Sequence, residues 1–199
     1  KFTDDYSDLA QFISVLNNTS DDDFVCEIES VFNVADYLKI LALDVLIGNW
    51  DGYAGNKNNY YLYHNPMTDL FDYIPYDLDN TWGITWGNFN WESENPYNWA
   101  NNMSFGNEFR PLYDRILAVQ EYRNLFSHYL THIISNWFNH EFVTNYISSR
   151  LPLLSESILS DEYYPLSYGF TPADYENSLT QAWGEHVRFG FIEWVDARL

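Results

Sequence analysis

Basic residues are scarce in this chain. Its 199 residues hold 9 Lys and Arg against 29 Asp and Glu, a formal charge of −20. Phosphate backbones are repelled by such a field, so nucleic acid is a poor partner and a basic polypeptide or a cation a better one. Charge of one sign also serves plain solubility. Cysteine is almost absent: Cys26 stands alone. Neither an internal disulfide nor a cysteine-based zinc site can be built from it. No apolar run approaches the roughly 18–20 residues that a membrane helix needs, so a soluble domain with no membrane span is expected. The opening Lys1-Phe2-Thr3-Asp4-Asp5 has neither a signal-peptide pattern nor an initiating Met, and upstream sequence is expected to have been removed. Repeats and low-complexity tracts are missing too. Asn17 and Asn102 each start an Asn-x-Thr/Ser pattern, a signal too short to carry weight by itself.

What is present is apolar and aromatic. Hydrophobic residues make up 46% and aromatics 20%, a composition that buries a core and does not stay disordered. Asp8 to Leu16 reads as an amphipathic helix with Ser7 as its N-cap, followed by a polar turn from Asn17 to Asp23. Asn33 caps the strongest helix, in which Leu38, Leu41, Ala42, Val45 and Leu46 recur at helical spacing until Gly48 ends it. A polar loop from Asn49 to Asn59 leads to an aromatic strand, Tyr60 to Tyr63. A turn containing Asn65-Pro66 then gives the return strand Phe71 to Ile74. Tyr76 to Thr81 forms a second acidic loop, and a Trp-, Asn- and Gly-rich stretch runs on to Asn107. Helices resume at Pro111–Ala118 and Gln120–Phe138, the latter with Leu125, Tyr129, Ile133 and Trp137 on one stripe. Further helices are expected at Glu141–Ser155, Thr171–Glu185 and Gly190–Leu199. The fold class is α+β, predominantly α-helical around one small aromatic hairpin.

The order helix, loop with Asp, hairpin, second acidic loop matches the needs of phosphoryl transfer. One carboxylate must face the attacking hydroxyl, while a separate Asn and Asp hold the magnesium ions on the phosphates. Asp51 fits the first role. Asn59, just before the first strand, and Asp77, beyond the hairpin, fit the second. Asn58 competes with Asn59, because the loop is longer than the usual kinase loop. Lys57 lies in the same loop, within reach of a phosphate oxygen.

These residues carry a resemblance. Gly48-Asn-Trp-Asp-Gly-Tyr, Asn58-Asn-Tyr-Tyr-Leu-Tyr and Ile74-Pro-Tyr-Asp-Leu-Asp-Asn-Thr-Trp-Gly83 resemble the CotH family, the spore-coat protein H-like atypical kinases of many bacterial and some fungal secreted or surface proteins. Arg110-Pro-Leu-Tyr-Asp-Arg-Ile-Leu-Ala-Val-Gln-Glu-Tyr-Arg123 and Phe191-Ile-Glu-Trp-Val-Asp-Ala-Arg198 resemble the same family, so the similarity runs from about Val34 to the C-terminus. The resemblance implies Asp51 as the catalytic Asp, Asn59 and Asp77 as magnesium and nucleotide ligands, and Asp79 as a secondary ligand or orienting group. It implies phosphorylation of protein Ser or Thr with ATP and Mg2+ (or Mn2+). It also implies an extracellular, cell-surface or spore-coat setting in a bacterium. With the charge of −20, the substrate is expected to be basic and Ser/Thr-rich. A kinase also needs an upper lobe with a phosphate-gripping Lys. Only Lys1 and no Gly precede the long helix, so residues 1–199 are expected to form a single kinase-like domain, the C-terminal lobe, with the nucleotide-gripping lobe lacking.

Other functions compete. The same module could be a non-catalytic coat scaffold or adhesin. A glycoside hydrolase would need two carboxylates about 5–10 Å apart, and the Asn-rich loop has no part in that chemistry. His128 and His132 form an i, i+4 pair that could take a metal, but a surface role is expected for them and for His140. The Trp82–Trp99 aromatics are expected to fill a core or a lid rather than a sugar platform.

Overall fold

The computed structural model describes residues 4–102 and 108–199. The Asn102 acceptor pattern runs into residues outside this range. Helix α1 (Ser7–Asn18) buries Phe12 and Leu16. Ser7 is its first residue and not its cap. Helix α2 (Phe24–Glu29) inserts Phe24 and Ile28 into the core. Helix α3 (Val34–Ile47) is the centre of the molecule, with Leu38, Ala42 and Val45 fully buried. Its start and end follow the expected chemistry. The Asn33 side chain accepts from Asp36 N–H at 3.3 Å, and Gly48 takes the left-handed conformation at φ 76°.

Strands β1 (Tyr60–Asn65) and β2 (Leu70–Pro75) pair antiparallel, with Tyr60 opposite Pro75 and Asn65 opposite Leu70. The outer edge of β2 does not stay open. Phe71 N–H donates to Val31 O at 2.8 Å and Asn33 N–H to Phe71 O at 3.0 Å, which fastens the hairpin to the start of α3. Strand alternation sorts the tyrosines: Tyr60 is half-buried, whereas Tyr61 and Tyr63 face solvent. Tyr60 stacks on Tyr73 at 5.5 Å, and Tyr73 meets buried Tyr37 edge-on at 5.3 Å.

Helices α5 (Pro111–Ala118) and α6 (Gln120–Asn136) follow the expected bounds closely. The buried face of α6 is not the stripe read from sequence. Tyr122, Phe126 and Leu130 go inward, Leu125, Tyr129 and Ile133 lie at the margin, and Trp137 is exposed. Both stripes are apolar, and the packing of α6 on α3 chooses between them. Helix α7 (His140–Ser160) is longer than expected and, of its residues, buries Val143 alone. The helix expected at Thr171–Glu185 shrinks to α8 (Pro172–Asn177). The cause is tertiary: Ser178 and Leu179 carbonyls accept from Phe191 and Ile192 N–H at 3.1 and 2.9 Å. That takes them out of helical bonding and starts the last helix, α9 (Phe191–Arg198). Of the expected core-filling tryptophans, Trp91 and Trp99 are buried and Trp86 is exposed.

Candidate active site

The segment after α3 is more ordered than a plain loop. Gly48 is followed by buried Asn49, whose side-chain amide donates to Asp44 Oδ1 at 3.1 Å. A short helix, α4 (Tyr53–Asn56), closes with Lys57 in the left-handed region. Asn56 N–H donates to Trp50 O and Gly52 O, both at 3.0 Å, which folds the chain tightly around Asp51. A Cβ on Gly55 would stand 1.9 Å from Trp50 O, so only glycine fits there. The Gly55 carbonyl in turn accepts from Arg110 Nε at 3.1 Å and Nη2 at 2.6 Å. Arg110 is buried, and it ties α4 to the head of α5.

Three amides converge on the half-buried carboxylate of Asp51. Asn56 Nδ2 donates to Oδ1 at 2.7 Å; Asn59 and Asn80 Nδ2 donate to Oδ2 at 3.0 and 3.2 Å. Asn80 Nδ2 also reaches Asp79 Oδ1 at 3.0 Å, and Asn80 Oδ1 accepts from the Trp86 indole at 2.8 Å. The hairpin makes this meeting possible, since Tyr76 N–H donates to Asn59 O at 3.0 Å where the two strands end. The loop before β1 and the loop after β2 are thereby held side by side.

Four non-glycine residues flanking the hairpin, Lys57, Asn59, Asp77 and Trp82, have φ between 52° and 59°. Asn and Asp tolerate that conformation best, and such a concentration is characteristic of sites where geometry overrides local comfort. The structure therefore brings Asn59, and not Asn58, to Asp51. Asp77 and Asp79 sit exposed on the second loop. Lys57 is also exposed, and its ammonium pairs with Glu108. Asn56 and Asn80 were not singled out from sequence as partners of Asp51. Asn80 stood in the Asp77-Leu-Asp-Asn80 run, and that position was the available signal for it.

The donor set suits a hard cation. With its nitrogen committed to Asp51, Asn59 has its amide oxygen to offer, and Asp77 and Asp79 are exposed carboxylates on the second loop; oxygen ligands of this kind match magnesium. Among the described residues no group of three or more His, Cys, Asp or Glu forms a ready metal cage. A nucleotide-dependent site does not need one, because phosphate oxygens complete the coordination shell. Beneath the site, burial raises the carboxyl of Asp44 to about 7, with the Asn49 amide opposing the shift. Burial likewise raises the phenol of Tyr53 to about 12 and lifts Tyr37 and Tyr73 further. The three phenols are neutral at physiological pH, whereas Asp44 is divided between its two protonation states there.

The sequence profile of the family described as CotH kinase protein matches residues 1–198. The chain belongs to that family. Inner spore coat protein H of Bacillus subtilis (strain 168) is 28% identical over 155 residues, covering 78% of this chain and 40% of that protein. The chain thus spans about two fifths of the length of this curated relative. Within the CotH family match, the segment Gly48–Gly83 carries the Asp51 constellation, and α9 closes the matched region.

Proposed function

We propose that this chain supplies the catalytic and metal-holding half of a site that moves the γ-phosphoryl group of ATP onto a Ser or Thr hydroxyl of a protein. The observation that carries this is the Asp51 carboxylate, fixed by three amides and, among the described residues, paired with no cation. Neutral donors orient an acceptor without cancelling its charge, which suits a group that must take a proton. In the transfer, the substrate hydroxyl oxygen bonds to the γ-phosphorus and its proton passes to Asp51. The bond from that phosphorus to the bridging oxygen breaks, and ADP leaves with the electron pair. Asn59 and Asp77 would hold Mg2+ or Mn2+ against the phosphates, with Asp79 as a further ligand or orienting group. When bound, the ion neutralises charge building on the phosphate oxygens. Lys57 would reach a phosphate by leaving Glu108, an exposed pair worth about 0–1 kcal/mol. The kinase C-lobe architecture belongs to the same proposal, as does a basic, Ser/Thr-rich protein substrate.

The relative's name points to the spore coat as the setting. It also favours a second reading, a coat scaffold without catalysis. The full-length protein separates the two. Radiolabelled transfer from ATP to a basic Ser-rich peptide is expected with Mg2+, and it should vanish in Asp51→Asn. Mg2+ with ATP should raise the melting temperature, and Asp77→Ala should abolish that rise. Absence of transfer in the full-length protein would leave the scaffold; an unchanged rise in Asp77→Ala would remove the metal assignment.

A further inference from the structure

A cavity of about 540 Å³ adjoins the candidate metal loop, with Leu78 and Asp79 in its wall. A tight turn places it there. Trp183 N–H donates to Val187 O at 2.8 Å, Val187 N–H returns to Trp183 O at 3.3 Å, and Gly184 takes φ 61° between them. Thr85 N–H donates to His186 O at 2.9 Å. That bond fastens the turn to the chain between Asn80 and Trp86, and the Trp86 ring lies 4.2 Å from the ring of His186. The cavity is thus built on the same framework that holds Asp51.

Its wall is aromatic and acidic. Phe170 and Trp183 lie 4.6 Å apart between ring centroids, and Tyr164 stacks 5.8 Å from Phe170. Asp174 stands among these rings. Its Oδ2 accepts from Thr171 N–H at 2.7 Å and from the Thr171 hydroxyl at 2.6 Å. The carboxylate is therefore fixed in place. Asp79 adds a second negative charge, and no Lys or Arg is among the described residues that line the cavity. An anion would be repelled. A neutral apolar group would fill the space and leave the charge unanswered. A guanidinium meets every condition: it stacks flat on aromatic faces, forks onto a carboxylate, and buries its apolar stem.

We infer that this cavity receives an arginine side chain of a protein partner, at a fixed offset from the hydroxyl presented to Asp51. The offset rests on the phosphotransfer reading above; the binding itself does not. Fluorescence anisotropy on the full-length protein without nucleotide tests it, using Ser-containing peptides that carry Arg, citrulline or norleucine at one position. The Arg peptide should bind about tenfold more tightly than the other two. Asp174→Asn keeps a side-chain acceptor for Thr171, so α8 retains its cap, and Phe170→Leu keeps an apolar wall. Each should bring the three affinities to within about twofold of one another. Equal affinities in the wild type, or an Arg preference that survives both variants, overturns the inference. Asp51→Asn should keep the Arg preference and lose transfer. If the Arg preference is found but the wild type transfers no phosphate, the cavity stands and the phosphotransfer reading falls. If transfer occurs without an Arg preference, the reverse holds.

Discussion

Asp51 receives donors from three places in the chain: the end of α4, the start of β1 and the turn after β2. Asn80 is the most connected of them, since it also holds Asp79 and the Trp86 indole. Asn80→Ala should therefore lower transfer by roughly ten- to a hundredfold while costing only about 1–2 kcal/mol of stability. Steady-state kinetics beside a urea melt would check the split. A loss of activity no larger than the loss of folded protein would count against a positioning role. Asp44 gives a prediction of a different kind. Its carboxyl is raised from 3.8 to about 7 by burial, so between those values the folded state binds the proton that the unfolded state releases. Stability is then fully present below about pH 4 and is lost as pH rises toward 7. A shift of this size corresponds to on the order of 4 kcal/mol. Asp44→Asn should remove that slope, which urea unfolding at a series of pH values from 4 to 8 would measure.

The elements meet at two glycines. A Cβ on Gly48 would lie 2.6 Å from the Trp194 ring, and one on Gly83 would lie 2.5 Å from Phe189 and 2.7 Å from Trp194. Both residues also have positive φ, at 76° and 83°. Trp194 on α9, fully buried and donating its indole N–H to Leu46 O at 3.0 Å, is thus clamped between the two ends of the candidate site segment. Gly83→Ala should cost about 2–4 kcal/mol from the backbone conformation and the displaced rings together. The same change should weaken the Mg-ATP thermal shift, because the ring displacement pushes on the loop that carries Asp77. Thermal melts with and without Mg-ATP would show both effects. At the other side of the site, Arg110→Ala leaves the Gly55 carbonyl without its guanidinium partner and should cost about 3 kcal/mol.

At the scale of the molecule, 29 acids stand against 9 Lys and Arg. Repulsion among them opposes the compact state, and it falls as salt shortens the Debye length to about 8 Å at 0.15 M. The melting temperature should rise between about 10 and 150 mM NaCl, by a few degrees, in differential scanning calorimetry. The same salt should weaken binding of a basic peptide. A flat melting curve with salt would mean that the acids are spread too widely to repel.

Much of this was legible locally. The Asn33 cap, the Gly48 stop and the hairpin follow from capping chemistry, strand alternation and turn residues, all of which act over a few positions. Membership in the CotH family was legible for the same reason, since its motifs are short and contiguous. What needed the tertiary structure was every choice between locally equal options. Two apolar stripes on α6 compete, and α3 buries one. The chain after Asn177 could continue as helix, but the first turn of α9 claims its carbonyls. Three asparagines surround Asp51, and only the closed hairpin brings Asn80 across to join Asn56 and Asn59. The sequence by itself determined which side chains could do chemistry and where the turns fall. Long-range hydrogen bonds and burial decided which of them meet, because their energy depends on partners that are remote along the chain.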